Sequence, residues 1–158
     1  MKTWLCALIC VLGFSAAAPV LAQDKSPGQL SSAEWLARIQ SDKKGIVAKS
    51  MDLTAEESKK FWPLYEQFQR ELALPRSAAN RAILDLIAAD GTLTDANAKR
   101  LVEQVQGAAL DEARLNQKHF KQLLKVLPTL KAARYMQIES KLQAVVRYET
   151  AKAIPLVQ

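Results

Sequence analysis

Cysteine is almost missing from this 158-residue sequence: it has two, Cys6 and Cys10, both in the first ten residues. If the start of the chain is an exported leader, nothing after it can form a disulfide, a thiol nucleophile or a cysteine metal site. Histidine occurs once, as His119. A zinc or copper centre needs three or four converging ligands, so no metal and no cofactor is expected. His119 and Glu112 lie seven residues apart, two helical turns, and do not chelate together. Glycine is also scarce, with five in all. No Gly-rich loop precedes a helix to cradle a phosphate, and no nucleophile-elbow pattern surrounds a serine. Acidic pairs such as Asp111-Glu112 and Glu56-Glu57 are adjacent, so on a helix they point about 100° apart and do not form an acid/base couple. They read as solvated surface and cap residues. These absences predict a binding protein and not an enzyme.

What is present begins with Met1-Lys2-Thr3 and an uncharged apolar run from Trp4 to Val20, closed by Val20-Leu21-Ala22. A basic start, an apolar centre and small residues before a cut have the layout of a secretory signal peptide over residues 1–22. The run is diluted by Gly13, Ser15 and Pro19 and lacks a basic stop cluster, which argues against a retained membrane span. The expected mature chain starts at Gln23 in the periplasm. It begins with a polar tail over 23–30, followed by one domain over 31–150 and a fraying end over 151–158. Loss of Lys2 takes the net charge from +6 to +5. From Arg114 onward nine basic residues face two acidic ones, Glu139 and Glu149, a balance that favours anionic partners. No nucleic-acid motif accompanies it.

Apolar residues recur at three- and four-residue steps, and β-branched alternation is absent, so the domain should be all-α. Ser31 with Glu34, and Thr54 with Glu57, have the form of capping boxes that start two helices. The first should run from about 32 to 50, with Lys43 interrupting its apolar stripe. The second carries Phe61, Leu64, Tyr65, Phe68 and Leu72, and Pro75 predicts a kink or short break near 74–77. Trp62 turns aside from that face, either to pack on the first helix or to form an exposed ridge or dimer surface. A third helix should start at Thr94 and reach about Val126. Leu127-Pro128 then breaks the chain before a fourth helix carrying Tyr135, Ile138 and Leu142. His119 is placed at the edge of the packing stripe. Turns of two to four residues make the four helices largely antiparallel.

Leu53-Thr54-Ala55-Glu56-Glu57 resembles the first Leu-Thr-x-x-Gln motif of the Spy/CpxP-like periplasmic proteins, with Glu57 in place of the motif glutamine. Phe61-Trp62-Pro63-Leu64-Tyr65 follows it. Leu127-Pro128 and the later Arg134-Tyr135-Met136-Gln137-Ile138-Glu139 resemble an uncharacterised branch, with Arg134 and Gln137 as counterparts of the second motif. The resemblance covers nearly all of 31–150. It implies a four-helix hairpin bundle of long antiparallel helices that pairs into a thin, curved homodimer. It also implies ATP-independent, chaperone-like binding of unfolded or stress-exposed envelope proteins. The alternative it implies is an accessory regulator that binds the sensor domain of an envelope-stress or metal-responsive kinase. Metal-binding members of that superfamily use histidine-rich sites, which this chain lacks. Arg114, Lys118, Lys121 and Lys125, spaced along one side of the third helix, are the expected charged rail for clients. Membrane contact, if any, would be peripheral.

Overall fold

The computed structural model describes residues 30–89, 91–154 and 156. The expected leader and all but the last residue of the expected tail lie outside them. Four helices make up the described chain: α1 Ser32–Met51, α2 Ala55–Ala88, α3 Asp95–Leu123 and α4 Thr129–Ala153. No strand occurs among the described residues.

Local chemistry starts the first three helices. The Ser31 hydroxyl accepts from the Glu34 amide while the Glu34 carboxylate accepts from the Ser31 amide. Thr54 and Glu57 repeat this reciprocal pair at α2. Each box satisfies two amides that the first turn leaves without a helical acceptor. Thr94 accepts from the Asn97 amide at α3. Pro128 precedes α4 without a side-chain cap, and its missing N–H suits a helix start. Replacing Thr54 by alanine should cost about 1 kcal/mol, the usual loss for an N-cap hydroxyl. A urea unfolding series on the two proteins checks this, and an unchanged midpoint would contradict it.

Three boundaries differ from the sequence reading. α2 stays helical through Pro75, so the chain does not break there. A proline inside a helix removes one backbone hydrogen bond, and the extensive packing of α2 along α3 holds the segment helical. A break in helical angles occurs in α1, where Asp42 departs from them (φ −149°, ψ 55°). Its carboxylate accepts from the Gly45 amide at 2.8 Å, so Asp42 ends one helical stretch and caps the next. A Cβ on Gly45 would fall 2.0 Å from Asp42 Oδ2, which is why the cap needs glycine there. Finally, α3 stops at Leu123, and residues 124–126 form a turn.

The ion pairs fix the directions. Glu71 meets Lys118 and Arg76 meets Glu112, so α2 and α3 run antiparallel. Lys43 meets Glu139, and Ser32 bonds Glu149, so α1 and α4 do the same. α2 packs most extensively on α3 and α1 on α4, while α3 touches α4 more sparingly. The molecule is therefore two helix pairs laid together.

Their shared core draws on all four helices. Met51, Phe61, Phe68, Leu72, Leu123 and Tyr135 are buried there. Each large apolar side chain so buried contributes about 1.5–3 kcal/mol. Phe61, Tyr65 and Phe68 share the buried face, as their spacing predicted. Trp62 is half-buried against this core, edge-on to Phe61 and Tyr65, with the Lys44 ammonium 5.2 Å from its ring centre. That is the packing reading of Trp62.

Candidate functional site

Two regions carry more than packing. The first is a cluster of charged and polar side chains in the middle of the bundle, supplied by all four helices. Lys43 on α1 is ion-paired with Glu139 on α4, and its ammonium also donates to Gln69 Oε1 at 2.8 Å. The kink at Asp42 immediately precedes Lys43, and the helix resumes with this lysine directed inward. Tyr135 donates to Glu139 at 3.4 Å, and Gln69 donates to the Tyr135 oxygen at 3.3 Å. On the far side of Glu139, Arg76 donates to Glu112 at 2.8 Å, and Arg147 reaches the other Glu112 oxygen at 3.3 Å. Arg76 also stands 3.8 Å from Glu139, which joins the two groups into one network.

Burial sets the electrostatics. Lys43 lies below its ordinary pKa because desolvation outweighs the pull of Glu139. The Tyr135 phenol is pushed far above its ordinary range by burial, with the Glu139 charge adding to it. Burial likewise raises Tyr65, to about 12. Charges of this kind persist inside a protein only when paired and hydrogen-bonded.

His119 adjoins the network and takes no hydrogen bond from it. Its ring lies flat on Phe68, with centroids 4.0 Å apart and planes 2° apart, and meets Tyr135 edge-on at 5.5 Å. It is 2% exposed, and no group meets either ring nitrogen with good hydrogen-bond geometry. Desolvation lowers its pKa from 6.5 to about 4, against the raising influence of Glu139, Glu71 and Gln122. The imidazole is therefore neutral at neutral pH and belongs to the core, not to the stripe edge expected from sequence. No group of three or more His, Cys, Asp or Glu among the described residues could hold a metal ion.

The second region is a groove of about 950 Å³ along the outer face of α2 and α3. Leu74, Pro75, Ala78 and Ala82 line it from α2, and Gly107, Ala108 and Leu115 from α3. Arg81, Asp85, Asp111 and Arg114 also border it. Leu74 is 76% exposed, so part of this apolar surface faces water. A Cβ built on Gly107 would meet nothing within 4 Å. The helix tolerates a side chain there, and its absence keeps the groove open.

The expected charged rail is partly rearranged. Arg114 and Lys118 are exposed on α3, but Arg114 is bonded to Asp111 and Lys118 to Glu71. The Lys118 bond is the chief cause that holds Glu71 below its usual carboxylate range. Lys121, in the last turn of α3, is exposed, while Lys125 sits past its end, in the turn. Neither has an ion pair among the described residues. Of the motif positions, Phe61, Tyr65, Leu127 and Glu139 are buried, Leu53 and Trp62 half-buried, and Thr54, Pro128, Arg134 and Gln137 exposed. Glu57 is held low by its bond to Lys131 first and by the Thr54 amide second, so the cap also ties α2 to α4.

Sequence reasoning missed Glu112, read as solvated surface. It is instead buried between Arg76 and Arg147. No protein-family model, curated protein or solved structure matches the chain significantly.

Proposed function

We propose that the protein is a non-enzymatic, periplasmic protein-binding factor that holds unfolded or stress-exposed envelope proteins without ATP. The observation that carries this reading is the long open groove on α2 and α3, whose floor is apolar and whose edges are charged. Such a surface offers adaptable contact and few directional hydrogen bonds, the combination suited to clients of varied sequence. Further exposed leucines, Leu84 and Leu110, extend the apolar surface of the same two helices. The basic excess from Arg114 onward would steer acidic segments toward it. In this reading the helices form a Spy/CpxP-like hairpin bundle after removal of the leader, and two copies pair as a curved homodimer. No helix of the described residues is long and apolar enough to cross a membrane.

A reduced, aggregating model client tests the proposal. The protein should slow light scattering in the absence of nucleotide. Gly107→Leu should weaken this protection several-fold with an unchanged helical spectrum, because its side chain fills the groove from open space. Reversing Lys121 and Lys125 together should also weaken it, more strongly at low salt. These two are preferred to Lys118, whose reversal would also break its bond to Glu71. Absence of protection across several clients would overturn the chaperone reading. One saturable complex with a sensor domain would put the regulator in its place.

A further inference from the structure

On the other side of α2 and α3 from the groove, between this helix pair and α1 with α4, lies a separate cleft of about 420 Å³. Its walls are apolar, with Ile39, Ile83, Val105, Leu142 and Val146 from the four helices. Lys43, Arg76, Glu112 and Arg147 supply its charged surface. A second cavity of about 350 Å³ between α3 and α4 adjoins it and shares Arg76, Glu112 and Arg147. Concave apolar walls with a few converging polar groups, at a volume of about 300–1,000 Å³, are the general form of small-molecule sites.

The charges there do not balance. Three cations, Lys43, Arg76 and Arg147, share two carboxylates, Glu112 and Glu139. One positive charge is left over in a cluster whose two acids are buried. Arg76 also keeps its Nε buried with no hydrogen-bond acceptor. Arg147 contributes one bond, at 3.3 Å, and its side chain is 65% exposed at the cleft edge, so it can turn toward an incoming anion. A ligand with one negative charge would neutralise the cluster, and an apolar tail on that ligand would cover the walls.

We propose that this cleft binds a monoanionic amphiphile of the free fatty-acid class, with the carboxylate at Arg147 and Arg76 and the tail between Ile83, Val105 and Val146. The site shares only Pro75 and Ala108 with the client groove, and the proposal does not depend on the chaperone reading. Free carboxylates are favoured over membrane lipid because Lys43 and Arg76 are drawn into the cleft between helices and only Arg147 is largely exposed.

Titration calorimetry of the intact protein with decanoate, decanol and vesicles containing phosphatidylglycerol tests it, with amide chemical-shift mapping of the decanoate complex. Decanoate should bind one to one and shift Ala109, Val146 and Arg147, while decanol binds at least about tenfold more weakly, a difference near 1.4 kcal/mol. Arg147→Gln should weaken decanoate by a similar factor without changing the helical spectrum. Ala109→Phe, which adds bulk at an exposed position lining the cleft, should abolish binding. Equal affinity for decanol, shifts confined to the groove around Leu74 and Gly107, or binding to vesicles alone would each overturn the assignment.

Discussion

Replacing Glu139 by leucine should cost about 3–5 kcal/mol, the usual penalty for removing one partner of a buried ion pair. Glu139 is 4% exposed and serves Lys43, Tyr135 and Gln69 together, with Arg76 close by. Its loss leaves the Lys43 ammonium part-buried beside Tyr135, with Gln69 as its remaining acceptor. The expense comes from that stranded charge more than from the lost attraction, which gives the prediction a second half. Glu139→Leu combined with Lys43→Met should recover most of the loss, since apolar replacement of both members of a buried pair is often near neutral. Urea unfolding at pH 7 of the parent, both single variants and the double variant would measure the coupling. A single-variant cost below about 1 kcal/mol, typical of an exposed pair, would mean that the cluster is solvated.

Acidification should weaken the fold well before the carboxylates titrate. His119 in the native chain has its pKa lowered to about 4 by desolvation, from an ordinary 6.5. Above pH 6.5 both the folded and the unfolded chain leave it neutral, and it adds no pH dependence. Between pH 6.5 and 4 the unfolded chain takes up a proton that the native chain refuses, so stability falls as pH falls. The expected loss from this residue is about 2 kcal/mol at pH 5, approaching roughly 3 kcal/mol below pH 4. Glu139 from α4, Glu71 from α2 and Gln122 on its own helix face the ring and temper the effect. Glu57, Glu66, Glu71 and Glu149 all have lowered pKa values. They stabilise the fold above the ordinary 4.5 and lose that contribution only below it, so the two windows separate. His119→Leu should remove the slope between pH 6.5 and 5 and leave the acid limb. Urea midpoints at half-unit pH intervals would show this. A histidine-containing parent with a flat profile down to pH 5 would contradict the burial of a neutral ring.

The helix starts and most of the core were legible because they depend on neighbours in sequence. Ser31 with Glu34 and Thr54 with Glu57 satisfy amides three residues away, and Phe61, Tyr65 and Phe68 take the face that their spacing dictates. The buried cluster was not legible in the same way, because its partners are far apart: Arg76 and Glu112 are 36 residues apart and Lys43 and Glu139 are 96. Beside Asp111, Glu112 looks like one of two surface acids, and only the tertiary fold makes one exposed and the other buried. Two signals were nevertheless present. Lys43 broke an apolar stripe, and His119 falls midway between Leu115 and Leu123 at four-residue steps, the spacing of a buried face. The α1 kink was hidden because Asp42 and Gly45 act only through their close approach, which no periodic pattern marks. Pro75 failed as a breaker for the opposite reason, since packing against α3 outweighs one missing hydrogen bond.

The α2–α3 groove as a protein-binding surface is tested most directly by mapping contacts in solution. Amide chemical shifts of the isotopically labelled protein would be recorded during titration with an unfolded, unlabelled client. The predicted perturbations run along Leu74, Ala78, Ala82, Gly107, Ala108 and Leu115, and Gly107→Leu removes them. Perturbations confined to α4 and the α3–α4 turn, with the groove residues unmoved at saturation, would contradict the assignment of this groove.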